Sequence, residues 1–331
     1  MRLTMRNRLF FRLSCLFLIS FQTAISQSPE NYRVFLATAT KQQEEWLILR
    51  PFDQAGKNRY LAVDLNTLET QVIPAKGLTA KETTWPDIRN SLAQKPYIKA
   101  LVYASGQSFS MQDAGIIHGY PAEKGITLTI DLCPSQKPLD RSIFTSLIRE
   151  FGKIEQPVPL ALSLSGRFLN THIPDIDWLK ELQAKGAISI TWINHSYTHY
   201  YDPKVPLPEN FLLKPGTDIR SEVLNNEKAM LEQGLTPSVF FRFPGLVSDN
   251  SVVQQIVDFG LIPVGSDAWL AKGQQSASGS IVLIHGNGNE PVGVSDFLKL
   301  LQSEKEEVLS KQWLLYDLHE SIGEEFEGEG K

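Results

Sequence analysis

Apolar and polar positions along the chain change their period near residue 120. From Gly125 onward, short apolar runs alternate with segments in which apolar residues recur at helical spacing, as at Phe144, Leu147, Ile148 and Phe151. The apolar runs cover residues 126–130, 160–164, 187–193, 239–243, 261–264, 280–284 and 313–316. Six or seven strand–helix units in succession predict an α/β fold whose parallel strands form a barrel, closed or incompletely closed.

The segment before this alternation predicts a separate small α/β module. Two of its runs alternate around Asn66-Thr67, as the strands of a hairpin do. The expected strands are 32–37, 46–49, 60–65, 70–73 and 100–103, and a short helix is expected at 85–93.

The first 26 residues have the pattern of a secretory signal peptide. Four arginines precede an apolar run at 13–21 that is too short to span a bilayer comfortably, and Ala24-Ile25-Ser26 has small residues at a cleavage position. Cleavage after Ser26 would give a periplasmic or secreted protein without stable membrane insertion. The alternative is an uncleaved N-terminal anchor.

We therefore expect four segments. These are a signal peptide at 1–26, an N-terminal accessory α/β module at 27–118, a (β/α) barrel at 119–322, and a disordered tail at 323–331 that is rich in Glu and Gly.

The net charge argues against nucleic acid as a partner, and the cysteine count argues against a disulfide. The formal net charge is −5, and loss of the four leader arginines would take it to −9. Phosphate contacts need clustered lysine and arginine, so nucleic acid is not an expected partner. Cys133 would be the single cysteine after cleavage, which excludes an internal disulfide in the mature chain.

Two histidines at a metal-ligand spacing stand out in a chain with six. His195 and His199 follow the apolar run 187–193. If the chain turns helical at His195, both rings fall on one face and could bind one metal ion. The alternative is that they are polar residues on an exposed turn.

Other residues with catalytic chemistry also stand where predicted strands end. Asp131 closes the first strand of the barrel, Arg242 and His285 end two later ones, and Asp267 follows another. Because the carboxyl ends of parallel strands converge on one face of a barrel, these side chains and the histidine pair predict a hydrolytic site.

The order of these motifs resembles the polysaccharide deacetylase family, carbohydrate esterase family 4. The matching segments are Thr129-Ile130-Asp131-Leu132-Cys133-Pro134, His195-Ser196-Tyr197-Thr198-His199, Arg242-Phe243-Pro244-Gly245, Asp267-Ala268-Trp269 and Leu283-Ile284-His285. The resemblance implies a distorted (β/α) barrel of deacetylase type. It also implies a hydrolase that acts on amide bonds of an N-acetylated polysaccharide.

The resemblance further implies catalytic roles. Asp131 would be the base that takes a proton from the attacking water, and Arg242 would pair with it. His285 would be the acid that protonates the leaving amine, and Asp267 would orient it.

The same resemblance implies the binding residues. His195 and His199 would hold a divalent metal, with zinc expected. Pro244, Gly245 and Trp269 would bind substrate, and the Gly245 N–H would stabilise the oxyanion.

One position departs from the family pattern. Leu132 stands where the family has an aspartate that binds the metal, and leucine cannot coordinate. The loss of one anionic ligand would weaken the free energy of metal binding by on the order of several kcal/mol. Structural zinc sites typically have a binding free energy of ~10–16 kcal/mol. Cys133 is the nearest replacement. It is either a thiolate ligand or a small packing residue, because its side chain should point differently from that of Leu132.

Three functions remain open at this point. The first is a hydrolase that removes N-acetyl groups from a cell-wall or exported glycan. The second is an amide or ester hydrolase that works without bound metal, and the third is a non-catalytic glycan-binding protein on a deacetylase scaffold.

Overall fold

The computed structural model describes residues 27–41, 44–121 and 124–327. The expected signal peptide and the last four residues of the expected tail lie outside these ranges. No helix in the described part of the chain has the length and apolar character needed to cross a bilayer. Two β-sheets organise the described residues, and the second one carries the candidate site.

The first sheet is antiparallel, with the strand order β4-β3-β2-β1-β5. Its strands are β1 (Ala37–Lys41), β2 (Glu44–Gln54), β3 (Lys57–Asp64), β4 (Thr70–Pro74) and β5 (Ala80–Glu82). β3 and β4 form the predicted hairpin, where Asp64 Oδ1 accepts hydrogen bonds from the N–H groups of Asn66 and Thr67. The strand expected at 32–37 begins only at Ala37.

The strand expected at 100–103 is wrong, because these residues lie inside helix α2 (Pro96–Gly106). Pro96 occupies the first turn, where its missing N–H has no helical partner to lose. Ile98 and Leu101 are both buried at helical spacing. A short apolar run does not by itself distinguish a buried strand from a buried helix.

Among the described residues, eight parallel strands form the second sheet. Seven of them overlap the predicted apolar runs, and the short strand Ala268–Trp269 matches none of these runs. They are β6 (Gly125–Leu132), β7 (Val158–Leu164), β8 (Ile188–Asn194), β9 (Phe240–Phe241), β10 (Ile262–Pro263), β11 (Ala268–Trp269), β12 (Ile281–His285) and β13 (Leu314–Leu315). Their order is β10-β9-β8-β7-β6-β12-β11, and β13 pairs with β6 outside this path. The sheet curls into a half-barrel with edges at β10 and β11.

Residues 110–118 contribute to the wall between these two edges. Ile116 bridges to Val264, just after β10, and His118 bridges to Ser280, just before β12. Part of the segment that the sequence pattern assigns to the N-terminal module is thus built into the barrel.

Helices flank the parallel strands, and several begin at capping aspartates. The helices other than α2 are α1 (Trp85–Ser91), α3 (Arg141–Phe151), α4 (Gly166–Thr171), α5 (Ile173–Ala184), α6 (Ile219–Glu232), α7 (Asn250–Asp258), α8 (Pro291–Ser303), α9 (Lys305–Leu309) and α10 (Leu318–Glu327). Asp140, Asp218 and Asp249 accept first-turn N–H groups of α3, α6 and α7. Because α10 extends to Glu327, residues 323–327 of the expected disordered tail are helical.

The two sheets share one hydrophobic core. Leu47 and Leu49 of β2 belong to the same buried cluster as Phe240 of β9 and Ile256 of α7. This continuity fixes the antiparallel sheet against the barrel.

A buried ion pair crosses the same contact. Arg50 of β2 donates from Nε and Nη2 to Glu227 of α6 at 2.8 and 3.0 Å, and both side chains are almost completely buried. The Tyr32 hydroxyl donates to Glu227 at 2.8 Å, and Arg50 Nη1 donates to the Phe259 carbonyl at 2.7 Å. The pair fixes α6, the helix that also supports one loop of the candidate site.

Candidate active site

The candidate site lies where the carboxyl ends of several parallel strands meet. Asp131 of β6 is the direct register partner of His285 of β12. His195 follows β8, and Arg242 follows β9. The structure therefore brings together residues that are far apart in sequence, at the end of the sheet where the motif order places them.

The two motif histidines are brought together by a loop rather than by a helical turn at His195. Ser196 and His199 have φ angles of 62° and 46°, values that a right-handed helix does not contain. Glu222 of α6 supports this loop by accepting from the Thr198 N–H at 2.8 Å and from its hydroxyl at 2.6 Å. The centroids of the two imidazole rings lie 4.8 Å apart.

Among the described residues, Nε2 of neither imidazole is hydrogen-bonded to an oxygen or nitrogen atom. His195 Nδ1 donates to the Arg242 carbonyl at 2.8 Å, which assigns the ring lone pair to Nε2. His199 Nε2 is buried and has no hydrogen-bond partner among the described residues. Cys133 Sγ lies 3.6 Å from His195 Nε2.

These three residues fit a divalent metal. Ligand atoms of Cys133, His195 and His199 all lie within 4.8 Å of one another. Imidazole and thiolate donors are the set that zinc prefers in proteins. Burial alone would lower the pKa of His195, but Asp131 and Cys133 raise it above its ordinary value. A cation at Nε2 would therefore compete with a proton.

Asp131 is a buried carboxylate with one free oxygen. Its Oδ1 has no hydrogen-bond partner in the described part of the chain, and its Oδ2 lies 3.7 Å from His195 Nε2. Burial alone would raise the pKa of Asp131. The charges of His195, Arg242 and His285 outweigh burial and hold this pKa below its ordinary value.

The predicted pairing of Arg242 with Asp131 takes a different form in the structure. The guanidinium is fully buried, and its Nη2 donates to Thr129 Oγ1 at 3.0 Å. Asp131 and Arg242 are not joined by an ion pair within 4.0 Å among the described residues. Arg242 therefore acts on Asp131 through its charge rather than through a direct hydrogen bond.

His285 is accompanied by a carboxylate that motif matching does not identify. Its Nδ1 lies 2.8 Å from Glu290 Oε2, an ion-pair distance without good hydrogen-bond alignment. Trp269 Nε1 donates to the same oxygen at 2.7 Å. Burial alone would lower the pKa of His285, but the charges of Cys133, Glu290 and Asp131 raise it well above its ordinary value.

Asp267 does not orient His285, so that prediction is wrong. Its Oδ2 lies 2.6 Å from His118 Nδ1, and its Oδ1 accepts from the Ile281 N–H at 3.1 Å. Ile281 begins β12 and His285 ends it. Four strand residues span about 13 Å, so Asp267 lies at the opposite end of the strand from the His285 imidazole.

An open cleft of about 600 Å³ lies over the site. Cys133, His285 and Glu290 line it, together with the predicted substrate residues Gly245 and Trp269. The third predicted substrate residue, Pro244, is buried beside Gly245 in a short 3₁₀ turn.

Gly245 allows an aromatic side chain to form part of the cleft wall. Its φ is 61°, and a Cβ at this position would lie 2.6 Å from the Phe211 ring. Phe211 stacks on Tyr201, with ring centroids 5.2 Å apart. Phe211 therefore packs where a side chain at position 245 would begin.

Two residues that support the candidate site, Glu290 and Glu222, have no motif in the sequence. Glu290 lies five residues after His285 and directly before Pro291, at the start of α8. The proline marks the start of a helix soon after His285, and this is the only sequence signal that places Glu290 close to that residue. Glu222 lies inside α6, and nothing in its local sequence marks it as the support of the histidine loop.

Comparisons with known proteins give similar structures but no matching family model. A family 4 carbohydrate esterase from Bacillus anthracis has a TM-score of 0.46 and 19% identity, covering 69% of this chain and 92% of that chain. PdaA of Bacillus subtilis, also a family 4 carbohydrate esterase, has a TM-score of 0.47 and 17% identity, covering 66% and 95%. BA3943 of Bacillus anthracis, a pseudoenzyme of the same family, has a TM-score of 0.44 and 13% identity, covering 90% of each chain. These three solved structures are all family 4 carbohydrate esterases, one of them a pseudoenzyme.

Proposed function

We propose that this protein is a hydrolase that removes N-acetyl groups from an amino-sugar polysaccharide. The observation that carries the proposal is the placement of Asp131 and His285 as register partners on adjacent strands beside a cleft. Amide hydrolysis needs a base to take a proton from water and an acid to protonate the leaving nitrogen.

The environments of the two groups support this division of roles. The pKa of Asp131 is held below its ordinary value, so the carboxylate is ionised at neutral pH, and its Oδ1 is free to accept a proton. The pKa of His285 is raised well above its ordinary value, so the imidazole carries the proton that the amine needs. Opposite shifts in neighbouring groups are how such sites separate base from acid.

Other residues position these two groups. Glu290 lies against His285 Nδ1 and leaves Nε2 as the nitrogen that donates to the leaving group. Arg242 places a buried positive charge near Asp131 and keeps it ionised. At Gly245, which lines the cleft, the backbone N–H is the donor proposed for the oxyanion.

A divalent cation, zinc in the proposal, would be held by His195 and His199. When bound, such a cation polarises a carbonyl and lowers the pKa of a water molecule. His195 is fixed for this role by its Nδ1–H bond to the Arg242 carbonyl.

The cleft supports a sugar polymer as substrate. Its openness admits a chain rather than a single enclosed molecule, and the exposed Tyr201 ring, stacked on the buried Phe211, offers an aromatic face that can pack against a sugar ring. Cell-wall glycans and exported polysaccharides both carry the acetamide group. An exported protein, as the leader pattern predicts, would meet either of them.

Acetate release from chitin-type oligosaccharides and from peptidoglycan fragments tests the proposal. We expect wild-type activity to fall roughly 100-fold or more in Asp131→Asn and in His285→Gln. His118→Gln is the matched control, because His118 pairs with Asp267 outside the cleft lining and should keep most of the activity.

Equal activity in His285→Gln and His118→Gln would contradict the proposed acid. Glycan binding without acetate release by the wild type, with metal supplied, would favour a binding protein on this scaffold.

A further inference from the structure

We propose that Cys133 supplies the third protein ligand of the metal site, in place of the aspartate that Leu132 replaces. The inference deepens the proposed function, because it concerns the metal that this function would use. It predicts a site of one thiolate and two imidazoles that selects zinc over hard cations.

The strand geometry separates Leu132 from Cys133. Cys133 directly follows the last residue of β6, Leu132. Its Sγ and Asp131 Oδ2 lie 3.6 and 3.7 Å from the same atom, His195 Nε2, whereas Leu132, between them, points to the other side as strand alternation requires. Leu132 is fully buried in the cluster that contains Ile130 and Phe144. Cys133 lines the cleft, and its sulfur lies 3.6 Å from His195 Nε2.

The backbone around Cys133 is anchored on both sides. Ser165 donates from its N–H and from its hydroxyl to the Leu132 carbonyl, at 3.3 and 3.2 Å. Asn287 Nδ2 donates to the Cys133 carbonyl. Three hydrogen bonds therefore fix the backbone from which the Cys133 side chain projects.

The spacing of the donors suits zinc. Bonds of about 2.0–2.3 Å around a tetrahedral ion place its ligand atoms roughly 3.5 Å apart. The 3.6 Å separation of Cys133 Sγ and His195 Nε2 matches this value, and the cluster as a whole stays within 4.8 Å. The buried Nε2 of His199, which has no partner among the described residues, completes the set.

The donor chemistry sets the expected selectivity. A thiolate carries the same single negative charge as the carboxylate it replaces, but it is a softer donor. Thiolate and imidazole ligands favour Zn²⁺ and Co²⁺, whereas Mg²⁺, Ca²⁺ and Mn²⁺ favour oxygen ligands. Three protein ligands leave one tetrahedral position open, as catalytic zinc sites do.

Cobalt substitution of the purified protein without its leader tests the inference. We expect Co²⁺ to give a near-ultraviolet thiolate-to-metal charge-transfer band, which must arise from Cys133 because the other cysteine, Cys15, lies in the leader. Cys133→Ser should abolish the band and weaken Zn²⁺ binding roughly 100-fold. Cys133→Asp should also lack the band, yet recover binding and lose much of the preference for Zn²⁺ over Mn²⁺.

Leu132→Asp in the Cys133→Ser background is the control for strand register. We expect it to destabilise the fold without restoring Zn²⁺ binding, because position 132 points into the core. Restored tight binding in this double variant would overturn the inference. So would Co²⁺ bound by the wild type without a charge-transfer band, or Cys133 found acylated by substrate, which would make it a nucleophile.

These readouts need no catalysis. A charge-transfer band in a protein that releases no acetate would support the thiolate site and contradict the proposed function. Acetate release by a protein that binds Co²⁺ without the band would support the proposed function and contradict the thiolate site.

Discussion

The Arg50–Glu227 pair gives a quantitative test of how the two sheets are held together. In Glu227→Gln, one carboxylate oxygen becomes an NH₂ group that cannot accept from Arg50. Each hydrogen bond to a charged group contributes about 1.5–3 kcal/mol, and a fully buried guanidinium is left without a counter-charge. Removing one partner of a buried ion pair typically lowers the free energy of unfolding by about 3–5 kcal/mol, and we expect Glu227→Gln to lower it by an amount in that range.

Urea unfolding followed by circular dichroism measures this loss. Glu45→Gln is the matched control, because Glu45 pairs with Lys95 at 2.6 Å in an exposed position where a pair contributes at most about 1 kcal/mol. The double variant Arg50→Met/Glu227→Leu should lose less than Glu227→Gln, since no buried charge remains. Equal losses in Glu227→Gln and Glu45→Gln, both below about 1 kcal/mol, would refute this reasoning.

Three further predictions concern single side chains. Glu290→Gln should lower kcat/KM for acetate release roughly 10- to 100-fold. It should also move the alkaline limb of the pH–rate profile to lower pH, because Glu290 raises the pKa of His285. Tyr201→Ala should raise KM for an oligosaccharide roughly 3- to 10-fold, with Tyr201→Phe closer to wild type, because the exposed Tyr201 ring is the proposed sugar contact. Asp317→Asn should lower the free energy of unfolding by about 1 kcal/mol at pH 7, as measured by urea unfolding. Burial alone would raise the pKa of Asp317, but the hydrogen bond with His319 lowers it overall. The stability difference between wild type and variant should therefore be present above the ordinary aspartate pKa of about 3.9 and be lost as the pH falls through the lower pKa of the folded protein.

The strand ends of the barrel could be predicted from sequence because buried parallel strands are continuous apolar runs. Each run that ends in a polar residue marks the carboxyl edge, and Asp131, Arg242 and His285 all stand at such an end. The conformation of the histidine loop could not be predicted in this way. Its positive φ angles depend on Glu222, which reaches the loop from a helix that begins 20 residues after His199.

Strand direction explains why Asp267 is not the partner of His285. Asp267 precedes a strand that pairs with β12 in parallel, so it lies beside the start of β12, whereas Glu290 follows the end of that strand. Because β11 and β12 are parallel, a residue that precedes β11 lies beside the start of β12, far from His285. A residue that follows β12 lies beside His285, which ends that strand. The order of the motifs along the chain does not show which end of a strand each motif occupies, so it could not distinguish Asp267 from Glu290.

The boundary expected at residues 118/119 can be tested by shortening the chain. Segment 110–118 bridges to Val264 and Ser280, and the barrel residue Phe240 shares its cluster with the first sheet. A chain that begins at residue 119 would expose this cluster and lose bridges at the barrel wall. We expect it to lack a cooperative urea transition that a chain beginning at residue 27 shows. A cooperative transition and Co²⁺ binding in the shorter chain would instead make the barrel an independent domain, because its core would then not depend on β2.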